Sequence, residues 1–209
     1  FFVKFFNIYL YAFFIKFLFK SSKDKTPNKL PAPSAPKFLD IHKNFLSHSS
    51  QYVLILLFEE NNSFNFILTL RSEKVETHKG QISLPGGVQE KNESLKETAL
   101  REAEEEIGTL PKTIEIIGEL SSICIPFSGY KVHPYVGWAG APPKLIPSTH
   151  EVERIIIVPV NELIDEKNQT QKKTILRGIP VTMPYFSLKE EIVWGATSMI
   201  LSEFKQIII

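Results

Sequence analysis

Residues 51–70, QYVLILLFEENNSFNFILTL, constrain the fold more than any other stretch of the chain. The first half is a short continuous apolar run, the pattern of a buried strand, and FNFILTL is a second strand. Asn61, Asn62 and Ser63 between them read as a tight turn, so the pair is expected to form a hairpin. TIEIIGEL, YKVHPYVGWAG and RIIIVPV read as further strands separated by loops bearing Pro and Gly. The spacing of apolar residues predicts one helix over 94–107, the start of another in VNELIDE, and a closing helix in EEIVWGATSMILSEFKQII. There is no internal repeat, and strands alternating with helices imply an α/β fold in which helices cover a mixed β-sheet.

The chain before this domain has a different composition. Residues 1–20, FFVKFFNIYLYAFFIKFLFK, are apolar enough to suggest a membrane anchor, but Lys4, Asn7 and Lys16 fall on different helical faces. The segment therefore reads either as an anchor or as a non-native extension. If it inserts, Lys20, Lys23 and Lys25 hold the downstream domain on the cytoplasmic side. Residues 21–36 have the Ser, Lys and Pro content of a linker, which sets one domain over residues 37–209. Lysine plus arginine is 24 against 23 acids, so no broad field exists for nucleic acid, and any phosphate site must be local. Cys124 is the lone cysteine, which excludes an intrachain disulfide or a multi-cysteine zinc site and agrees with a cytoplasmic setting. It is expected to be a small buried hydrophobe.

The helix over 94–107 is the chemically informative element. Leu95, Ala99, Leu100, Ala103 and Ile107 share its core face, and Gly108 suits a left-handed C-cap. Glu102, Glu105 and Glu106 stand at i, i+3 and i+4 on one surface, whereas Glu104 points away. Residues 90–106 hold seven glutamates against Lys91, Lys96 and Arg101, and no lysine closes the helix. Negative charge at a helix C-terminus opposes the macrodipole, and the Glu102/Glu106 pair adds repulsion of roughly 0.2–0.5 kcal/mol. Arg101 offsets part of this through Glu97 or Glu105. A hard divalent cation, magnesium or manganese, resolves the rest of the conflict, since such ions bind a few carboxylates together with substrate phosphates.

Gly87, five residues, Glu93, seven residues, then Arg101-Glu102-Ala103-x-Glu105-Glu106-x-Gly108 resembles the Nudix box, with Ala103 and Thr109 at its two bulky aliphatic positions. The resemblance implies hydrolysis of a nucleoside diphosphate linked to another moiety on an α/β/α sandwich. It also implies metal ligation by Glu102, Glu105, Glu106 and the Gly87 carbonyl, with Gly86, Glu93 and Arg101 supporting the site. The general base is either a box glutamate or Glu151, in the loop before RIIIVPV, with His150 as the adjacent alternative.

Directly upstream, ILTLRSEKVETHKGQISLPGG, residues 67–87, is similar to the signature of the coenzyme A diphosphatase branch of that family. Leu68, Thr69, Arg71, Ser72, Gly80, Pro85, Gly86 and Gly87 match. Glu76 stands where the branch usually has arginine, and Leu84 where it has phenylalanine. The likeness extends over roughly residues 50–204. It implies cleavage of coenzyme A or an acyl-CoA to 3',5'-ADP and 4'-phosphopantetheine with Mg2+ or Mn2+. Arg71, Lys79 and His78 are the expected contacts to substrate phosphates, and Phe127, Tyr130 and Trp138 are aromatic candidates for stacking or for the core. Glu76 keeps another nucleoside diphosphate open, such as ADP-ribose, a nucleotide sugar or a dinucleoside polyphosphate. A scaffold that binds nucleotide or a partner without turnover is the reading from a different class. Whether the domain forms a homodimer is open at this level.

Overall fold

The computed structural model describes residues 50–125, 129–176 and 178–209. The N-terminal hydrophobic segment, the linker, the domain start at 37 and Phe127 lie outside them. Strands β1 (Ser50–Glu60) and β2 (Ser63–Arg71) form the expected hairpin. Asn61 and Asn62, with φ of 51° and 60°, make a two-residue turn in the left-handed region. Asparagine tolerates that region, and such a turn matches the twist of the flanking strands. On the other edge of β1 lies β7 (Tyr130–Trp138), running parallel to it. Beyond β7, both β5 (Glu115–Glu119) and β6 (Ile123–Ile125) pair antiparallel with it. The outer edge of β2 carries β8 (Val152–Pro159), also antiparallel, so the sheet is mixed as expected.

The apolar run in β1 is continuous because both of its faces are covered. Leu54, Leu56 and Phe58 pack with Ala99, Ala103 and Ile107 of helix α1 (Leu95–Ile107). Ile55 and Leu57 point the other way, toward Phe186, Leu201 and Phe204. That second layer comprises helix α2 (Val160–Ile164), helix α3 (Gly195–Ile208) and a small sheet. The small sheet is β9 (Gln169–Leu176), β10 (Ile179–Leu188) and β11 (Glu191–Trp194), each antiparallel to the next. An Arg154 to Glu191 ion pair and the Lys189 N–H to Glu162 bond tie it to β8 and α2.

Three expectations are corrected here. Glu191–Trp194 is a strand, and the closing helix begins only at Gly195, whose φ of 66° breaks any continuous helix from 190. Cys124 is exposed, since it lies on the three-residue edge strand β6 opposite Lys131. Leu95, the first residue of α1, is 40% exposed, and the buried face of the helix starts only at Thr98 and Ala99. Among the described residues no helix is long and apolar enough to cross a membrane.

Candidate active site

β1 and β2 pair only near their turn, at Leu57–Glu60 with Ser63–Phe66, and then diverge. The wedge between them is filled by the chain that links β3 (Ile82–Ser83), paired with β2, to β4 (Gly86–Val88), paired with β1. Leu54 donates its N–H to the Pro85 carbonyl across the gap, 2.9 Å. Gly86 has φ of 154°, and a Cβ there would run into the Tyr52 carbonyl and lie 2.6 Å from the Val53 Cα. Gly87 differs, because a Cβ there would meet the Glu102 carboxylate, 2.5 Å from its Oε2. The wedge thus offers bare backbone to α1, and two of its glutamates come down onto that backbone.

α1 is delivered to this place by its ends. Ser94 accepts from the Glu97 N–H while the Glu97 carboxylate accepts from the Ser94 N–H, a complete capping box. Gly108, with φ of 74°, ends the helix with its N–H on the Glu104 carbonyl. The Glu106 carbonyl accepts from the Ser148 N–H at 2.9 Å, and the Ile107 carbonyl from the Ile146 N–H at 2.8 Å. These bonds satisfy carbonyls that the helix end leaves open, and they fix the loop before β8 to it.

The three glutamates have different surroundings. Glu106 is 3% exposed, and its Oε2 accepts from the Gly86 N–H at 3.1 Å. Burial pushes its carboxyl up to about 8. The Gly86 bond and the Arg71 charge, 3.8 Å away, favour ionisation and oppose that rise. Glu102, pressed on Gly87, is also raised, chiefly by burial. Glu105 is the outward member, with its side chain 55% exposed and its Oε2 2.7 Å from Arg101 Nη1.

Arg101 gathers the acids. It bonds Glu93 at 2.7 Å, Glu105 at 2.7 Å, Glu102 at 2.9 Å and the Val88 carbonyl at 3.2 Å. Its guanidinium draws the Glu93 carboxyl down to about 2. Thr98 and the Glu90 N–H complete the Glu93 contacts. Of its two expected partners, Glu97 and Glu105, Arg101 takes Glu105, and it pairs with Glu93 as well.

From the other wall, Glu151 lies close enough for its charge to raise Glu102 and Glu106. Arg71, at the end of β2, puts Nη1 near Glu106, and its Nε is buried with no hydrogen-bond partner among the described residues. His78 and Lys79 sit on the exposed loop after β2, where His78 Nδ1 faces Gln81 Oε1 at 3.0 Å. The loop is closed by bonds from Arg71 N to the Gln81 carbonyl and from Gly80 N to the Arg71 carbonyl. Glu76 and His150 are exposed as well. Tyr130 is half-buried, and the Trp138 ring packs against Phe64 at 5.9 Å. Sequence reading missed Thr98 and Gln89, whose neutral side chains carry no signal of the bonds they make.

Among the described residues no three acidic, histidine or cysteine side chains converge on one point as a ready metal cage. Glu102 and Glu106 meet at Gly86 and Gly87, while Arg101 holds Glu105 aside. The donor set still suits a hard divalent cation. It is all oxygen, and a carboxylate as buried as Glu106 is costly to ionise without a positive partner.

A family profile for the NUDIX domain matches residues 49–178. The chain belongs to the Nudix family. Nudix hydrolases act on phosphorus-containing anhydrides, cleave nucleoside diphosphate derivatives and generally use divalent metal ions. The chain is 29% identical over 178 residues to Nudix hydrolase 3 of Caenorhabditis elegans, covering 84% of this chain and 73% of that one. It is 34% identical over 160 residues to the mitochondrial Nudix hydrolase 15 of Arabidopsis thaliana, covering 71% of this chain and 55% of the relative. It is 31% identical over 141 residues to the uncharacterized Nudix hydrolase NudL of Photorhabdus laumondii, covering 67% of this chain and 75% of the relative. Among solved structures, a MutT/nudix family protein from Enterococcus faecalis superposes with a TM-score of 0.53 at 19% identity, covering 87% of this chain and 65% of that one, a likeness of fold.

Proposed function

We propose that this Nudix chain hydrolyses the pyrophosphate bond of coenzyme A or an acyl-CoA, giving 3',5'-ADP and 4'-phosphopantetheine, with Mg2+ or Mn2+. The observation that carries the reading is the place of residues 67–87, the stretch that resembles the coenzyme A branch. It supplies Arg71 beside Glu106, the loop bearing His78 and Lys79, and the glycine wedge under Glu102.

The roles follow from the surroundings of each group. Glu102, Glu105, Glu106 and the Gly87 carbonyl would hold the cation. When bound, a divalent ion neutralises charge on the pyrophosphate and makes water more acidic. Arg71, whose side chain is partly exposed beside Glu106, is suited to draw a phosphate oxygen, and Lys79 and His78 lie on the loop that follows it. Glu151 takes the proton from the attacking water, since its exposed turn is bonded to the carboxylate helix through the Ser148 N–H on the Glu106 carbonyl. Glu93 and Arg101 keep the loop and the outward glutamate in place.

One residue favours a second reading. Glu76 is an exposed carboxylate on the substrate loop, where it repels a phosphate-rich ligand and favours a substrate such as ADP-ribose. The test is turnover of coenzyme A, ADP-ribose and a dinucleoside polyphosphate by the full chain with magnesium, with Glu105→Gln as control. The proposal requires the highest kcat/KM on coenzyme A and a large loss in the control. Preference for ADP-ribose would replace the substrate, and no turnover of any of the three would point to a binding scaffold.

A further inference from the structure

Glu151 stands at an exposed turn, yet its backbone is fixed from several directions. Its N–H donates to the Ser148 carbonyl at 3.1 Å, and the Ser148 N–H donates to the Glu106 carbonyl at 2.9 Å, which references the turn to the carboxylate helix. The Glu151 carbonyl accepts from the Ser72 N–H at 2.8 Å, just past the irregularity where β8 gains a residue against Leu70 and Arg71. The tip of the turn, Thr149 and His150, is held across the gap by Lys74, whose Nζ donates to the Thr149 carbonyl at 3.3 Å. Lys74 is itself aimed by buried Ser72, whose Oγ accepts the Lys74 N–H at 3.1 Å. Buried Val75 anchors the same loop to the body.

We propose that Lys74, aimed by Ser72, is a positioning residue that straps the 148–151 turn to the substrate loop and so sets Glu151 against Glu102 and Glu106. This rests on the reading of Glu151 as the base. Lys74 touches neither the acids nor a reacting atom in this arrangement. Its effect is to remove the freedom of the turn that carries the base, and displacements of about 1 Å at such a group cost up to ~100-fold in rate.

The test compares Lys74→Met, which keeps the aliphatic stem and loses the donor, with Lys74→Arg, which keeps a donor, and with Glu151→Gln. It uses the full chain and whichever of the three nucleotides above the wild type turns over. Hydrogen exchange of the 148–152 amides reads the strap independently of chemistry. Lys74→Met should lower kcat roughly 10-fold with KM nearly unchanged and speed exchange in that turn, and Lys74→Arg should recover most of both. A raised KM with kcat intact would make Lys74 a substrate contact and overturn the proposal. Unchanged kcat and exchange in Lys74→Met, beside a crippled Glu151→Gln, would overturn the strap while sparing the base. Full activity in Glu151→Gln would remove the base assignment, and the strap's catalytic role with it, even if exchange in the turn quickens.

Discussion

Gly86 and Gly87 are adjacent, and a methyl group on each would meet a different obstacle. At Gly86 the obstacle is backbone, the Tyr52 carbonyl and Val53 Cα, and φ is 154°. Gly86→Ala should therefore cost about 3 kcal/mol or more and show as a large fall in Tm. At Gly87 the obstacle is the far end of the Glu102 side chain, which can move. Gly87→Ala should change stability by less than ~1 kcal/mol yet lower kcat at least ~10-fold, a split seen by running melts and kinetics on one preparation. Glu106 gives a pH signature. Its carboxyl titrates at about 8 folded against 4.5 unfolded, so between these values the folded chain binds more protons and loses stability as pH rises. Glu106→Gln should flatten that slope, gaining roughly 1–3 kcal/mol over wild type near pH 8 and little near pH 4. Magnesium should raise the wild-type Tm at pH 8 and leave Glu106→Gln nearly unmoved. The two glycines were legible from the family resemblance, and the glutamates from spacing. Their unequal burial was not, because i, i+3 and i+4 place three carboxylates on one surface without saying that the glycine wedge covers the third and leaves the second in water.

At the scale of elements, α1 is the part that sequence reads best. Its core face from Ala99 to Ile107 and its Gly108 stop are local patterns, and the structure repeats them; the Ser94/Glu97 capping box is added by the structure. Ser94→Ala removes one half of the capping box and should cost about 1 kcal/mol, or about 2–4 °C in Tm, with kcat unchanged because the glutamates lie two turns away. β9 and β10 were not legible. QTQKKTIL has no apolar alternation, and much of the ribbon is exposed on both faces, so no burial pattern is written into it. β3 and β4 are too short to show a period of 2, and β11 was hidden because its apolar residues continue into those of α3.

For the whole molecule, the sheet separates two jobs. The α1 side carries the acids, and the side lined by Leu201, Phe204 and Phe186 seals the structure. Leu201→Ala should cost about 2–5 kcal/mol in a denaturant melt while leaving metal affinity of the folded chain unchanged. A fold made of a covered mixed sheet was legible because β1 is apolar on both faces. The docking of the 148–151 turn on the helix end was not legible, since it depends on where β8 adds to β2, a contact between segments far apart in the sequence. The claim that ties these scales together is that the acids on the glycine wedge bind a divalent cation. Titrating the full chain with Mn2+ while following the free-ion paramagnetic resonance signal tests it directly. The wild type should take up the ion, and Glu102→Gln and Glu106→Gln should each bind at least ~10-fold more weakly while remaining folded. Equal affinity in all three proteins would contradict the assignment of the site.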